Sequence, residues 1–185
     1  MTGRAALIAL LAERSVKRGQ FTLASGKTSQ YYIDARLTTM SPEGLSLIGP
    51  LALSALASAG WPVDSVGGLT LGADPISYAV SYASASSPRP VRAFTVRKEV
   101  KAHGTGKRIE GPFREGDHVA VIEDVITTGG SSLQAIEAVR SAKGIVSGVL
   151  ALVDREEGGR EAIEESGVLV IALTTAAELV KAHSS

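Results

Sequence analysis

At 185 residues, with 44% hydrophobic and 21% charged residues, the chain is sized and balanced for one globular domain with a real core. A formal net charge of +0 argues against a broad basic field for nucleic acid, so any anion site must be a local cluster. No cysteine occurs, which excludes disulfides, a thiol nucleophile and thiolate-held metals.

Arg4 precedes a short apolar run that leads straight into Glu13 and Arg14, without the small-residue pattern of a cleavable signal. Leu7, Ile8, Leu11 and Ala12 share one face at helical spacing, which predicts an amphipathic helix over 4–17. No stretch is long enough to span a membrane, and a cytoplasmic protein without membrane or nucleic-acid partners is expected. A polar segment, 21–34, then ends in Tyr31, Tyr32 and Ile33, a short strand. Ser41 as N-cap and Pro42 at the first helical position start a helix that runs to about Ala59, where Gly60 stops it.

After Trp61 the pattern changes. Strands are predicted at 65–68, 91–96, 118–122, 146–153 and 168–173, and helices at 75–84, 131–142 and 160–165. Continuous apolar strands alternating with helices imply an α/β fold with a parallel sheet covered on both faces. Ligands in such sheets bind at the carboxyl ends of the strands, so the loops after Gly68, Val96, Ile122 and Val153 are where chemistry belongs.

The strongest motif follows the third of these strands. Glu123 and Asp124 come first, then Val125 and Ile126, then Thr127, Thr128, Gly129, Gly130 and Ser131. The threonines and glycines can bring backbone N–H groups close to a phosphate, and the helix from Ser131 aims its positive end at the same point. The carboxylates cannot serve that phosphate; they suit ribose hydroxyls, or Mg²⁺ held together with them. No Gly-Lys-Ser follows and the glycines are adjacent, so neither a Walker loop nor a dinucleotide fingerprint is present. The plainer alternative is a tight strand-to-helix turn with a capping serine. After strand 91–96, the segment Arg97-Lys98-Glu-Val-Lys101-Ala-His103-Gly104 concentrates positive charge in a neutral protein, either as a solvated loop or as a cover for departing pyrophosphate. Asp154 and Arg155 stand at another strand end, where Arg155 can grip a planar carboxylate or form an ion pair with Glu156 or Glu157.

Residues 123–131 resemble the phosphoribosyl-pyrophosphate (PRPP) motif of type I phosphoribosyltransferases. The basic pattern Arg97-Lys98-x-x-Lys101-x-His103-Gly104 resembles the catalytic loop of the orotate phosphoribosyltransferases within that superfamily. The resemblance implies a Rossmann-like α/β fold forming a single domain over 1–185, with a small N-terminal hood from about residues 1–40. It implies that PRPP is bound by Arg97, Lys98, Lys101, His103, Glu123, Asp124, Val125, Ile126, Thr127, Thr128, Gly129, Gly130 and Ser131. Lys101, His103 and Asp124 are the implied catalytic residues, with Asp124 acting electrostatically and on hydroxyls rather than abstracting a proton, because orotate is already an anion.

Orotate is assigned to Arg155 with Thr127 as companion. Mg²⁺ is the expected cofactor, carried mainly by PRPP, with Asp124 as the protein carboxylate available to join it. Phe21 to Ser29 and Tyr31 to Asp34 are similar to the family's hood, and residues 67–75 to its pyrophosphate loop, where the N–H groups of Leu71 and Gly72 can act. Ala24 and Gly72 stand where members of the family carry lysine. The implied reaction is orotate plus PRPP giving orotidine 5′-phosphate and pyrophosphate, in pyrimidine nucleotide synthesis, performed by a homodimer whose basic loop reaches the neighbouring site. A purine phosphoribosyltransferase would share the phosphate loop without the basic pattern. A PRPP-sensing regulator would need a DNA-binding segment, and no basic recognition helix is visible.

Overall fold

A computed structural model describes residues 3–22, 28–99 and 108–183. Helix α1 (Gly3–Ser15) leads into a hairpin of β1 (Val16–Thr22) and β2 (Thr28–Ile33), which form a separate two-stranded antiparallel sheet. The short α2 (Arg36–Thr39) and the long α3 (Pro42–Ser58) follow. The remaining chain alternates β3 (Ser65–Leu69), α4 (Ala73–Ala83), β4 (Arg92–Val96), β5 (Ile109–Glu110), β6 (His118–Ile126), α5 (Gly130–Ser141), β7 (Ile145–Asp154), α6 (Gly159–Glu164), β8 (Val170–Thr175) and α7 (Ala176–Ala182).

The main sheet has six strands in the order β5-β4-β3-β6-β7-β8. Every pairing is parallel except β4 with β5, so the expected parallel sheet carries a short antiparallel edge. The continuous apolar runs have a direct cause. Ala120 and Ile122 face one buried cluster with α1, α3 and α4, while Val119 and Val121 face a second with α5 and α6. Side chains alternate across a strand, so burial on both faces demands apolar residues at every position.

Two sequence expectations change in ways that bear on the site. The first helix stops at Ser15, because Val16 opens the hairpin by pairing with Ile33 and the buried Ser15 hydroxyl bonds Thr38 Oγ1 at 2.8 Å. Strand β6 runs four residues past Ile122, since β7 continues to pair with it up to Ile126–Asp154. Glu123 and Asp124 therefore lie inside a strand rather than beyond its end. The start of α3 is as expected: Ser41 caps it by accepting from Gly44 N at 3.1 Å, with Pro42 next.

Candidate active site

The carboxyl ends of β3 and β6 open into a cleft of about 270 Å³. Its walls include Tyr32 and Arg36 from the hairpin side, residues 69–72 after β3, Lys98, residues 123–125 of β6, and Ser131 at the start of α5. Strand continuity puts Glu123 and Asp124 there, because the paired β6–β7 ladder carries them up to the rim.

The two carboxyl groups are buried to different ends. Glu123 is 9% exposed and accepts from Ser132 Oγ at 2.7 Å, which ties the strand to the first turn of α5. Burial pushes Glu123 up to about 8, against the pull of the Ser132 hydrogen bond. Asp124 is also raised by burial, but it accepts from Val125 N at 2.9 Å and shares a hydrogen bond with Glu123. The pair is thus arranged for Glu123 to keep its proton and for Asp124 to carry the negative charge into the cleft. Gly72 makes room for that charge: a Cβ there would meet the Asp124 carboxylate at 2.5 Å. A side chain at this position would have to displace the Asp124 carboxylate.

The turn from β6 to α5 uses its glycines for backbone shape. Gly129 has φ 80, and a Cβ on it would come 2.7 Å from Gly159 O, at the first residue of α6 packed beneath the turn. No side chain caps α5, so the capping-serine alternative does not hold and the first-turn N–H groups face their ligand end without a protein oxygen supplied by a cap. Thr127 and Thr128 lie on this turn; Ile126 just before it is fully core, so only its backbone can meet a ligand, and its carbonyl accepts from Arg155 N at 3.0 Å.

The remaining expected residues divide. Lys98 lines the cleft, whereas Arg97 is bonded to Glu110 Oε1 at 3.0 Å on the sheet edge. Lys101, His103, Ala24 and Lys27 lie outside the described residues. Arg155 is not among the residues lining the cleft. Its side chain is 2% exposed beneath the hairpin, where Nη2 and Nε reach Glu157 Oε1 at 2.7 and 3.0 Å. Ser29 Oγ lies 3.4 Å from Nη2, and the guanidinium sits 5.0 Å from the centre of the Tyr31 ring. The ion pair with Glu157 anticipated as an alternative is formed, with the arginine buried and Glu157 at its solvent side.

One cleft residue escaped the sequence reading. Arg36 opens α2, is held by both oxygens of Asp34 at 2.9 and 3.1 Å, and its charge acts on Asp124. The only sequence signal was a charged pair directly after the Tyr31-Tyr32-Ile33 strand.

No family model matches the chain. It is, however, 47% identical over 183 residues to an orotate phosphoribosyltransferase of Aquifex aeolicus, covering 97% of this chain and 99% of the relative. A second, from Rhodopirellula baltica, is 45% identical over 92% of this chain and 91% of its own length. Among solved structures, the Mycobacterium tuberculosis H37Rv orotate phosphoribosyltransferase in complex with PRPP superposes with TM-score 0.81 at 40% identity, covering 96% and 98% of the two chains. An adenine phosphoribosyltransferase from Leishmania donovani, at 16% identity and TM-score 0.66, shares the fold alone. Sequence and structure agree, and the chain belongs to the orotate phosphoribosyltransferase family.

Proposed function

We propose that this orotate phosphoribosyltransferase joins orotate to PRPP by dividing its cleft into a phosphate end and a base end. The reaction makes one bond, from orotate N1 to ribose C1′, and breaks two: C1′ to the pyrophosphate oxygen, and N1–H, whose proton passes to the departing pyrophosphate. The products are orotidine 5′-phosphate and pyrophosphate. Orotate's negative charge sits on its carboxylate, so the protein has that charge to hold, and the N1 proton has the pyrophosphate oxygens to go to.

The 5′-phosphate belongs on the N–H groups of Thr127, Thr128, Gly129, Gly130 and Ser131, at the positive end of α5. Asp124, backed by Glu123, takes the ribose hydroxyls and faces the positive charge that develops on the ring as pyrophosphate leaves. Leu71 and Gly72 offer N–H groups to the pyrophosphate, joined by Lys98 and, on the family resemblance, by Arg97, Lys101 and His103. Arg155, with Thr127, takes orotate; to do so its fork must exchange Glu157 for the ligand's carboxylate.

Among the described residues no cluster of three or more metal-ligating side chains occurs. Mg²⁺ would enter on the oxygens of PRPP, with Asp124 as the protein ligand open to it. When bound, Mg²⁺ would neutralise charge on the departing pyrophosphate. Exposed Leu71 at the cleft, Tyr78 and Tyr82 on α4, Leu37 on α2 and Met40 just after it support a homodimer as the working unit. Among the described residues no helix is long and apolar enough to cross a membrane, and we place the reaction in the cytoplasm.

The single observation that carries this reading is the Asp124 carboxylate, set over Gly72 and beside an uncapped helix start in one cleft. The test is loss of orotate absorbance with PRPP and Mg²⁺, against hypoxanthine, guanine, adenine and uracil. Turnover with orotate alone is expected. Turnover with a purine and none with orotate would overturn the base assignment.

A further inference from the structure

The loop after β3 offers a ligand mainly backbone: Gly72 has no side chain, and Leu71 contributes an apolar one that is exposed. A backbone anion site works only as well as its N–H groups are held in place. The first anchor is Thr70, whose N–H donates to Val96 O at 2.8 Å and adds a rung to the β3–β4 ladder.

The second anchor is a carboxylate. Asp74, in the first turn of α4, is 8% exposed, and its two oxygens are taken by two hydroxyls. Thr70 Oγ1 donates to Oδ2 at 2.7 Å, and Thr95 Oγ1 donates to Oδ1 at 2.8 Å. Thr95 belongs to β4, where it pairs with Gly68 of β3. Tyr78, one turn further along α4, brings its hydroxyl within 3.1 Å of Thr95 Oγ1. Residues from the β3 loop, from β4 and from α4 therefore meet around one buried carboxylate at the carboxyl end of the sheet.

Burying a carboxylate is costly, and an apolar side chain of similar size would fill the space at less cost. What the charge does there is fix geometry. It fixes Thr70, the residue from which the chain turns into Leu71 and Gly72. Thr70, Leu71 and Gly72 line the cleft, and Asp74 does not.

We propose that Asp74 is a positioning residue, holding the backbone of residues 70–72 so that its N–H groups meet the pyrophosphate of PRPP. The proposal rests on the pyrophosphate role given to this loop above. Asp74 touches no substrate; it acts through Thr70, with Thr95 and Tyr78 keeping the carboxylate in place.

The test compares Asp74→Ala, Asp74→Asn and Thr95→Val with the parent enzyme. Asparagine keeps the shape and presents one acceptor and one donor, and a threonine hydroxyl can take either role. Asp74→Ala is expected to raise the KM for PRPP about tenfold or more, the loss of roughly one charge-assisted hydrogen bond. The KM for orotate should move by less than about twofold, and Asp74→Asn should recover most of the loss. Thr95→Val, which frees one oxygen of Asp74 at constant volume, should give the same split at smaller amplitude and stands in if the alanine variant does not fold.

Calorimetric titration with pyrophosphate alone reads the same loop without turnover. An inactive parent enzyme would refute the proposed function, while weakened pyrophosphate binding by Asp74→Ala would still uphold the positioning role. Equal rises in both KM values overturn it. So does a lowered Tm with unchanged kinetics and pyrophosphate affinity, because Asp74 would then be structural only.

Discussion

At the proposed phosphate end of the cleft, main-chain N–H groups project from a turn whose strand is mostly buried and whose Gly129 packs on Gly159 of α6. At the proposed base end, the ligand group is the side chain of Arg155, which lies buried outside the cleft lining and is already held by a carboxylate from its own loop. The first end is fixed by the fold before any ligand arrives. The second must trade one charge-assisted partner for another, so its affinity is a difference between two similar interactions. Lesions at the phosphate end should therefore cost rate and PRPP binding, and lesions at the base end should cost selectivity for orotate.

The largest effect is expected at Asp124. Asp124→Asn should lower kcat/KM for PRPP by about 10²–10³, the usual loss when one preorganised electrostatic group is removed. It should not lower Tm, because burial already disfavours the charged form that the substitution removes. Steady-state kinetics beside a thermal melt check both. A sharp fall in Tm with normal residual kinetics would make Asp124 structural.

Gly129→Ala comes next. The left-handed backbone and the nearby Gly159 carbonyl leave a Cβ no room, so we expect a destabilisation of about 1–3 kcal/mol, several degrees in Tm. The KM for PRPP should rise about tenfold with it and that for orotate much less, since the turn must move to relieve the clash. Comparable rises in both KM values would mean the two ends are not separately built.

The smallest effect is a scaffold control. Glu178 is held below its ordinary value chiefly by the hydrogen bond from Arg4, which joins α1 to α7. Its stabilisation is present above the unfolded carboxylate pKa and is lost as pH falls through the lower folded one. Both partners are more than a third exposed, so Arg4→Ala should cost under about 1 kcal/mol at neutral pH and leave both KM values unchanged. Melts from pH 7 to pH 3 should show the gap between parent and variant closing on the acid side; a constant gap would assign the loss to packing.

The two ends also differed in how far the sequence disclosed them. The phosphate turn was legible because its parts are contiguous: a buried strand, two carboxylates, two glycines and a helix start lie within 119–132. The cap of α3 was legible for the same reason, Ser41 and Pro42 being neighbours. Strand β1 was not, because its residues are mostly exposed and polar and only pairing with β2 makes them a strand. The burial of Arg155 was hidden too, since the hairpin that covers it is more than a hundred residues away in sequence. Asp74 stood in the sequence only as one residue of the 67–75 loop, and only Thr95, from the neighbouring strand, reveals what its second oxygen holds. Arg36 reached the cleft by the fold of α2 against it, which no local pattern announces.

The division of the cleft is tested most directly by measuring the KM for orotate and the KM for PRPP in Arg155→Ala. Losing a charged hydrogen-bond partner of this kind costs on the order of 2–4 kcal/mol, so the KM for orotate should rise by roughly 30-fold to 1,000-fold. The KM for PRPP should stay within about threefold of the parent value, because the backbone turn that holds its phosphate is untouched. Equal losses for both substrates, or a loss confined to PRPP, would contradict the account and place orotate elsewhere in the cleft.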